Sequence, residues 1–190
     1  MESAATIRIL GVDPGTLRLG FGLLEVSGAT VRLVMSGVAS APASWAAARR
    51  LGKLAKELDG VIAAERPDCL ALEASFVGKN AHSLIRMAEA RGMVLALAGG
   101  RGLEVHDYSP STVKKSVTGN GGASKEQVAR LLAALLPELN HLRSVERLDQ
   151  TDAIAVAWCH VQQRRLDERS ARVARALSSG QKKSARQVAG

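Results

Sequence analysis

Four carboxylates stand where a solvated charge is not ordinarily found. Asp13 ends the apolar run ILGV and is followed by Pro14 and Gly15, a pair that turns the chain tightly. Glu73 ends a second apolar run, CLAL. Asp149 and Asp152 open the apolar segment AIAVAWCHV, and their spacing places them on nearly the same side of a helix. Each has an ordinary structural explanation when taken alone. Asp13 suits a cap on the Pro-Gly turn, Glu73 a satisfied charge at a strand end, and Asp149 and Asp152 an N-cap and an N3 acid. Taken together they suggest chemistry. Acids gathered on one sheet edge repel one another unless cations lie between them. Hard oxygen ligands suit Mg²⁺ or Mn²⁺. Two such ions about 4 Å apart activate a water and stabilise the leaving oxygen of a phosphodiester.

Other catalytic chemistries find less support. No Ser or Cys sits beside a recognisable base. Cys69 and Cys159 each lie in an apolar run and are not spaced as a pair, which fits reduced, buried thiols in a cytoplasmic protein. The four histidines, His82, His106, His141 and His160, are scattered along the chain, and their spacing argues against a zinc site.

The elements that must position the acids can be read from the apolar pattern. Strands are expected at about 6–13, 19–27, 30–39, 68–74 and 103–108, with Gly28 linking the second and third as a hairpin. A helix is expected at about 44–65, where Leu51, Leu54, Leu58, Val61 and Ile62 fall at helical spacing before Pro67. Another should run from about 80 to 98 and stop before Gly99-Gly100. A short helix follows in SPSTVKKSVTG. The next begins at Ser124 with Gln127 in a capping-box pattern and ends by Pro137. Residues 138–147 read as a polar loop, and a largely apolar final helix begins near Asp149. Three strands, a helix, then alternating strand and helix predict an α/β fold with a mixed five-stranded sheet covered by helices on both faces.

The chain has 190 residues, 46% of them hydrophobic, enough for one domain with a real core. No apolar stretch reaches the roughly 18 residues of a membrane span, and no secretory signal pattern opens the chain. Net charge is +8, but residues 164–190 carry +6 of it and residues 1–163 only +2. This divides the chain into a body, 1–163, and a basic tail, 164–190, either partly helical or disordered. Such a tail suggests a polyanion partner, although a solvated end explains it equally well.

The blocks VDPG, ALEASFVGKNAHSLIRMAEARG, STVKKSVTGNGGASKEQV and LDQTDAIAVAWCH, in this order and spacing, resemble the RuvC family of Holliday-junction resolvases. The resemblance spans about residues 6–162. It implies an RNase H-like fold and a homodimer. It also implies a metal-dependent endonuclease of recombination and repair that nicks two strands of like polarity symmetrically across a four-way DNA junction. The family further implies two Mg²⁺ ions per site, with Mn²⁺ able to substitute, and a branch-migration motor as partner. By motif the catalytic, metal-binding acids are Asp13, Glu73, Asp149 and Asp152. Phe76 matches the aromatic that the family presents to unpaired bases, where stacking is worth about 1–3 kcal/mol. Lys114 and Lys125 match basic residues near the scissile phosphate, with Lys115 competing for the first of these places. Lys79, Lys115 and Arg86 are candidates for backbone phosphate contact. Ala74 departs from the polar residue, commonly Gln, that usually follows the catalytic Glu.

Three other readings remain to be weighed. One is a ribonuclease of the same fold acting on RNA precursors, against which the full ALEASF–KNA block argues. Another is a sugar-kinase-like ATPase, which normally needs two such domains. The third is a DNA-binding protein without catalysis, against which the presence of all four acids argues.

Overall fold

The structure, a computed structural model, describes residues 5–74, 81–141 and 147–188. Three antiparallel strands come first: β1 (Ile7–Asp13), β2 (Arg18–Ser27) and β3 (Thr30–Ser40). Gly28, at φ 57°, makes the tight link between β2 and β3, so the expected hairpin is present. Helix α1 (Ala47–Glu65) follows, then β4 (Cys69–Glu73), α2 (Ala81–Gly100) and β5 (Glu104–Tyr108). Helices α3 (Pro110–Thr118) and α4 (Lys125–Leu135), a 3-10 turn (Pro137–His141) and α5 (Arg147–Val188) complete the chain. The strands form one sheet in the order β3-β2-β1-β4-β5, with β4 parallel to both β1 and β5. This is the mixed five-stranded α/β architecture that the apolar pattern predicts.

Alternation along the strands gives the sheet two distinct faces. Leu10 and Val12 of β1 and Leu70 and Leu72 of β4 pack with Leu54, Leu58 and Ile62 of α1 and with Val94 and Ala98 of α2. Each fully buried aliphatic side chain contributes about 1.5–3 kcal/mol. The opposite face is covered by α5, in which every residue from Ala153 to His160 is buried. Helix α5 lies unusually close to this face because β1 and β2 present glycines to it. A Cβ on Gly11 would collide with the carbonyl oxygen of Ala153, and one on Gly20 with that of Asp149. The stripe 149-153-157 of α5 therefore rests directly on β1 and β2.

Local chemistry explains where two of the helices begin. Ser109 accepts a hydrogen bond from the Thr112 N–H to start α3, and Pro110 follows at the first helical position. Ser124 and Gln127 form both halves of the capping box that starts α4.

Three boundaries differ from expectation. Helix α2 continues through Gly99-Gly100, whose added side chains would meet open space. It ends at Gly100, and in the turn that follows Gly102 has φ 67° and the Leu103 N–H reaches back to the Ala98 carbonyl. The segment expected as a polar loop contains the 3-10 turn, which buries Leu139 at 2% exposure. Helix α5 begins at Arg147, so Asp149 lies within its first turn and Asp152 inside the helix; neither is the N-cap.

The chain divides into two compact units, Met1–His160 and Val161–Gly190, three residues earlier than the change in sequence pattern. In the second unit the helical backbone continues to Val188. Gln163 donates to Asp167 at 3.0 Å and Arg164 pairs with Glu168 at 3.6 Å, one turn apart in each case. Among the described residues no helix is long and apolar enough to cross a membrane.

Candidate active site

Asp13 and Glu73 end β1 and β4, which are parallel neighbours with Val12 opposite Leu72. The two acids therefore stand side by side at one edge of the sheet, on the face that α5 covers. Asp152 comes to the same place from α5. The three carboxylates line a cleft of about 310 Å³ together with Lys114 of α3 and Lys125 of α4. Asp13 and Glu73 also border an adjoining hollow of about 370 Å³ walled by Leu84, Met87 and Arg91 of α2.

Countercharges hold this group together. The Lys125 ammonium bonds the Asp152 carboxylate. Burial by itself would lower the Lys125 pKa, but the hydrogen bond and charge of Asp152, with Asp13 and Glu73 behind it, give a net rise. Asp149 does not line the cleft. Arg18, at the start of β2, takes its Oδ2 at 2.6 Å. Its charge still acts on Asp13, whose pKa is pushed up to about 7 by burial first, then by Asp152 and Glu73, and last by Asp149, against the opposing pull of Lys125. The cleft thus sets three carboxylates against two lysines. That excess, together with an all-oxygen donor set, fits divalent cations of the Mg²⁺ and Mn²⁺ type at Asp13, Glu73 and Asp152.

The buried Asp13 has a consequence for stability. Its unfolded pKa is near 3.8 and its folded value about 7, so between these pH values the folded chain binds the extra proton. Metal-free stability should then fall as pH rises from about 4 to about 7, by on the order of a few kcal/mol. Asp13→Asn should flatten that fall and melt higher than wild type at pH 8 in chelator. Equal melting temperatures for the two proteins across this range would contradict it.

The lysine pair is separated by helix phase. Lys114 borders the cleft, one residue after the buried Val113, whereas Lys115 is exposed and its carbonyl receives the Gly119 cap. Arg86 is exposed on α2 and does not border either hollow. Phe76 and Lys79 lie outside the described residues. Sequence reading missed Arg18 and Arg91. Arg18 could be found from register, since Asp13 pairs with Gly20 and Arg18 shares the face of Gly20. Arg91 borders the second hollow and is held by Asp107 at 2.7 Å.

The histidines are less scattered than their spacing suggests. Among the described residues, His106 and His160 converge with Cys69, their ligand atoms all within 4.8 Å of one another. Folding β5 against β4 and laying α5 across both accomplishes this, and chain separation does not reveal it. Cys69 and Cys159 are buried and not joined in a disulfide, as expected.

The profile of the RuvC family, crossover junction endodeoxyribonuclease, matches residues 9–160. This chain belongs to the RuvC family. The match runs from β1 to the end of the first compact unit, so all four acids lie inside it. RuvC of Chlorobium phaeobacteroides is 38% identical over 151 residues, 80% of this chain and 79% of its own length. RuvC of Bordetella avium is 38% identical over 174 residues, 92% of this chain and 94% of its own. Among solved structures, Thermus thermophilus RuvC in complex with a Holliday junction substrate superposes with a TM-score of 0.77 at 30% identity, covering 85% of this chain and 96% of that one. The yeast mitochondrial Holliday junction resolvase shares the fold, with a TM-score of 0.59 at 15% identity over 80% of this chain and 77% of its own. RuvC membership brings the RNase H-like fold, nuclease activity and dependence on a divalent metal.

Proposed function

We propose that this chain resolves four-way DNA junctions in recombination and repair, by paired, symmetric hydrolysis of two strands of like polarity. The observation that carries the reading is the meeting of Asp13, Glu73 and Asp152 in one cleft with two lysines, inside a chain of the RuvC family. Asp13, Glu73 and Asp152, with Asp149 beside them, would together hold two Mg²⁺ ions, with Mn²⁺ as a substitute. When bound, such ions lower the pKa of an attacking water and neutralise the leaving oxygen. The chain's own groups orient the phosphate and keep the acids in place. Lys125 holds Asp152, and Arg18 holds Asp149.

Lys114 faces the scissile phosphate and offsets charge that develops during cleavage. Lys114→Ala should slow cutting by about 10²-fold, and Lys115→Ala by much less. Equal losses in single-turnover rates would remove Lys114 from this role. Phe76 supplies a stacking surface for unpaired bases, and Lys79 and Lys115 supply phosphate contacts.

The working unit is a homodimer. Leu84, Ile85 and Leu95 are exposed on α2, an apolar face that a second copy would cover. The two-fold axis would set two active sites to match the two-fold shape of a junction. Residues 1–163 form the nuclease body and 164–190 a basic tail adding non-specific DNA attraction. The protein acts in the cytoplasm alongside a branch-migration motor. In chelator it should bind a synthetic four-way junction more tightly than a duplex of the same sequence, without cutting. Equal affinity for both, measured by gel shift at fixed salt, would overturn selection by shape.

A further inference from the structure

We propose that Cys69, His106 and His160 form a binding site for a zinc-class transition ion, separate from the acidic cleft. Cys69 opens β4 and His106 lies in β5. Parallel pairing sets Cys69 opposite Glu104 and Ala71 opposite His106, so alternation puts Cys69 and His106 on one face of the sheet. His160 reaches that face from α5. The three ligand atoms lie within 4.8 Å of one another.

The geometry is that of a ligand set already oriented for an ion. Cys69 Sγ is 3.4 Å from His160 Nε2. Two ligands of a tetrahedral zinc ion, at bond lengths of about 2.3 Å to sulfur and 2.0 Å to nitrogen, stand about 3.5 Å apart. The Tyr108 hydroxyl meets the other ring nitrogen, Nδ1, at 2.7 Å. That contact fixes the imidazole and leaves Nε2 facing the sulfur, the kind of support that metal-bound histidines ordinarily have. The His106 ring is stacked on that of His160 at 4.2 Å between centroids. Glu104 holds a carboxylate 3.6 Å from His106 Nε2.

A thiolate and two imidazoles favour Zn²⁺ or Co²⁺ over Mg²⁺, so this set and the oxygen-rich cleft discriminate between ions by ligand type. An ion here ties together β4, β5 and α5. Two of these carry Glu73 and Asp152, so loading would stiffen the frame of the cleft without touching substrate.

The test is a Co²⁺ titration of the full-length, reduced protein in excess Mg²⁺, read by absorption. The expected result is one equivalent bound with a thiolate-to-cobalt charge-transfer band and tetrahedral visible bands, reversed by Zn²⁺. Oxygen ligands alone give no thiolate band. Cys69→Ser should abolish the band and His106→Gln should weaken Co²⁺ binding at least tenfold, while Cys159→Ser should leave both intact. His106 is only half-buried, so its variant keeps the test available if Cys69→Ser fails to fold. No thiolate band in wild type, or a band lost with Cys159→Ser rather than with Cys69→Ser, would overturn the proposal.

Discussion

Asp13→Asn should reduce junction cutting by roughly 10³-fold or more while leaving junction binding intact. The substitution keeps the shape of the side chain and removes its charge. Burial raises the pKa of the Asp13 carboxyl, and the charges of Asp152, Glu73 and Asp149 all add to that rise. It therefore lies at the electrostatic centre of the group. Under the proposed function, losing its charge would remove a hard ligand from the middle of the set and weaken metal affinity and positioning together. In the proposed function, binding would rely on lysines and arginines spread over the surface and on the tail, none of which the change touches. Slightly tighter binding in chelator is expected, because one repulsion toward phosphate is gone. Single-turnover cleavage and gel shifts on the same preparation check both halves. A variant that still cuts within tenfold of wild type would take Asp13 out of the machinery. One that loses binding in proportion to cutting would assign it a structural role instead.

Gly20→Ala should be nearly as damaging from a position with no chemistry of its own. A methyl group there meets the backbone carbonyl oxygen of Asp149, and backbone cannot rotate aside as a flexible side chain can. The start of α5 must lift from the sheet, carrying Asp149 and Asp152 with it. Overpacking of this kind destabilises by about 1–3 kcal/mol. A misplacement of about 1 Å in a catalytic constellation costs on the order of 10² in rate. The expected result is a lower melting temperature and about a hundredfold slower cutting. Gly60→Ala is the control. It lies exposed in α1 with open space where the Cβ would go, so it should leave cutting unchanged and add about 1 kcal/mol of helix stability. Wild-type cutting by Gly20→Ala at an unchanged melting temperature would show that α5 does not depend on this close approach.

The acids were legible because each ends or opens an apolar run, where burial makes a charge conspicuous. The strands were legible because apolar residues surround them in short runs with turn residues between. Helix phase separates Lys114 from Lys115, and only the packing of Val113 reveals it. Arg18 required the register of two strands. The cluster of Cys69, His106 and His160 required the whole sheet and α5 together. The tail loses its apolar stripe near residue 164, so the pattern left helix and disorder both open, and the helix is the one found. Its backbone is carried by good helix formers and pairs such as Arg164 and Glu168, which need no core. Glycines misled at Gly99-Gly100, because a helix tolerates them where nothing else ends it.

The most direct measurement is a map of the nicks on a synthetic mobile four-way junction with Mg²⁺, beside the linear duplex and a chelator control. Paired nicks at symmetric positions on two strands of like polarity, in the junction only and with metal only, are the expected outcome. Unpaired cuts, equal cutting of the duplex, or cutting that survives the chelator would contradict a metal-dependent junction resolvase.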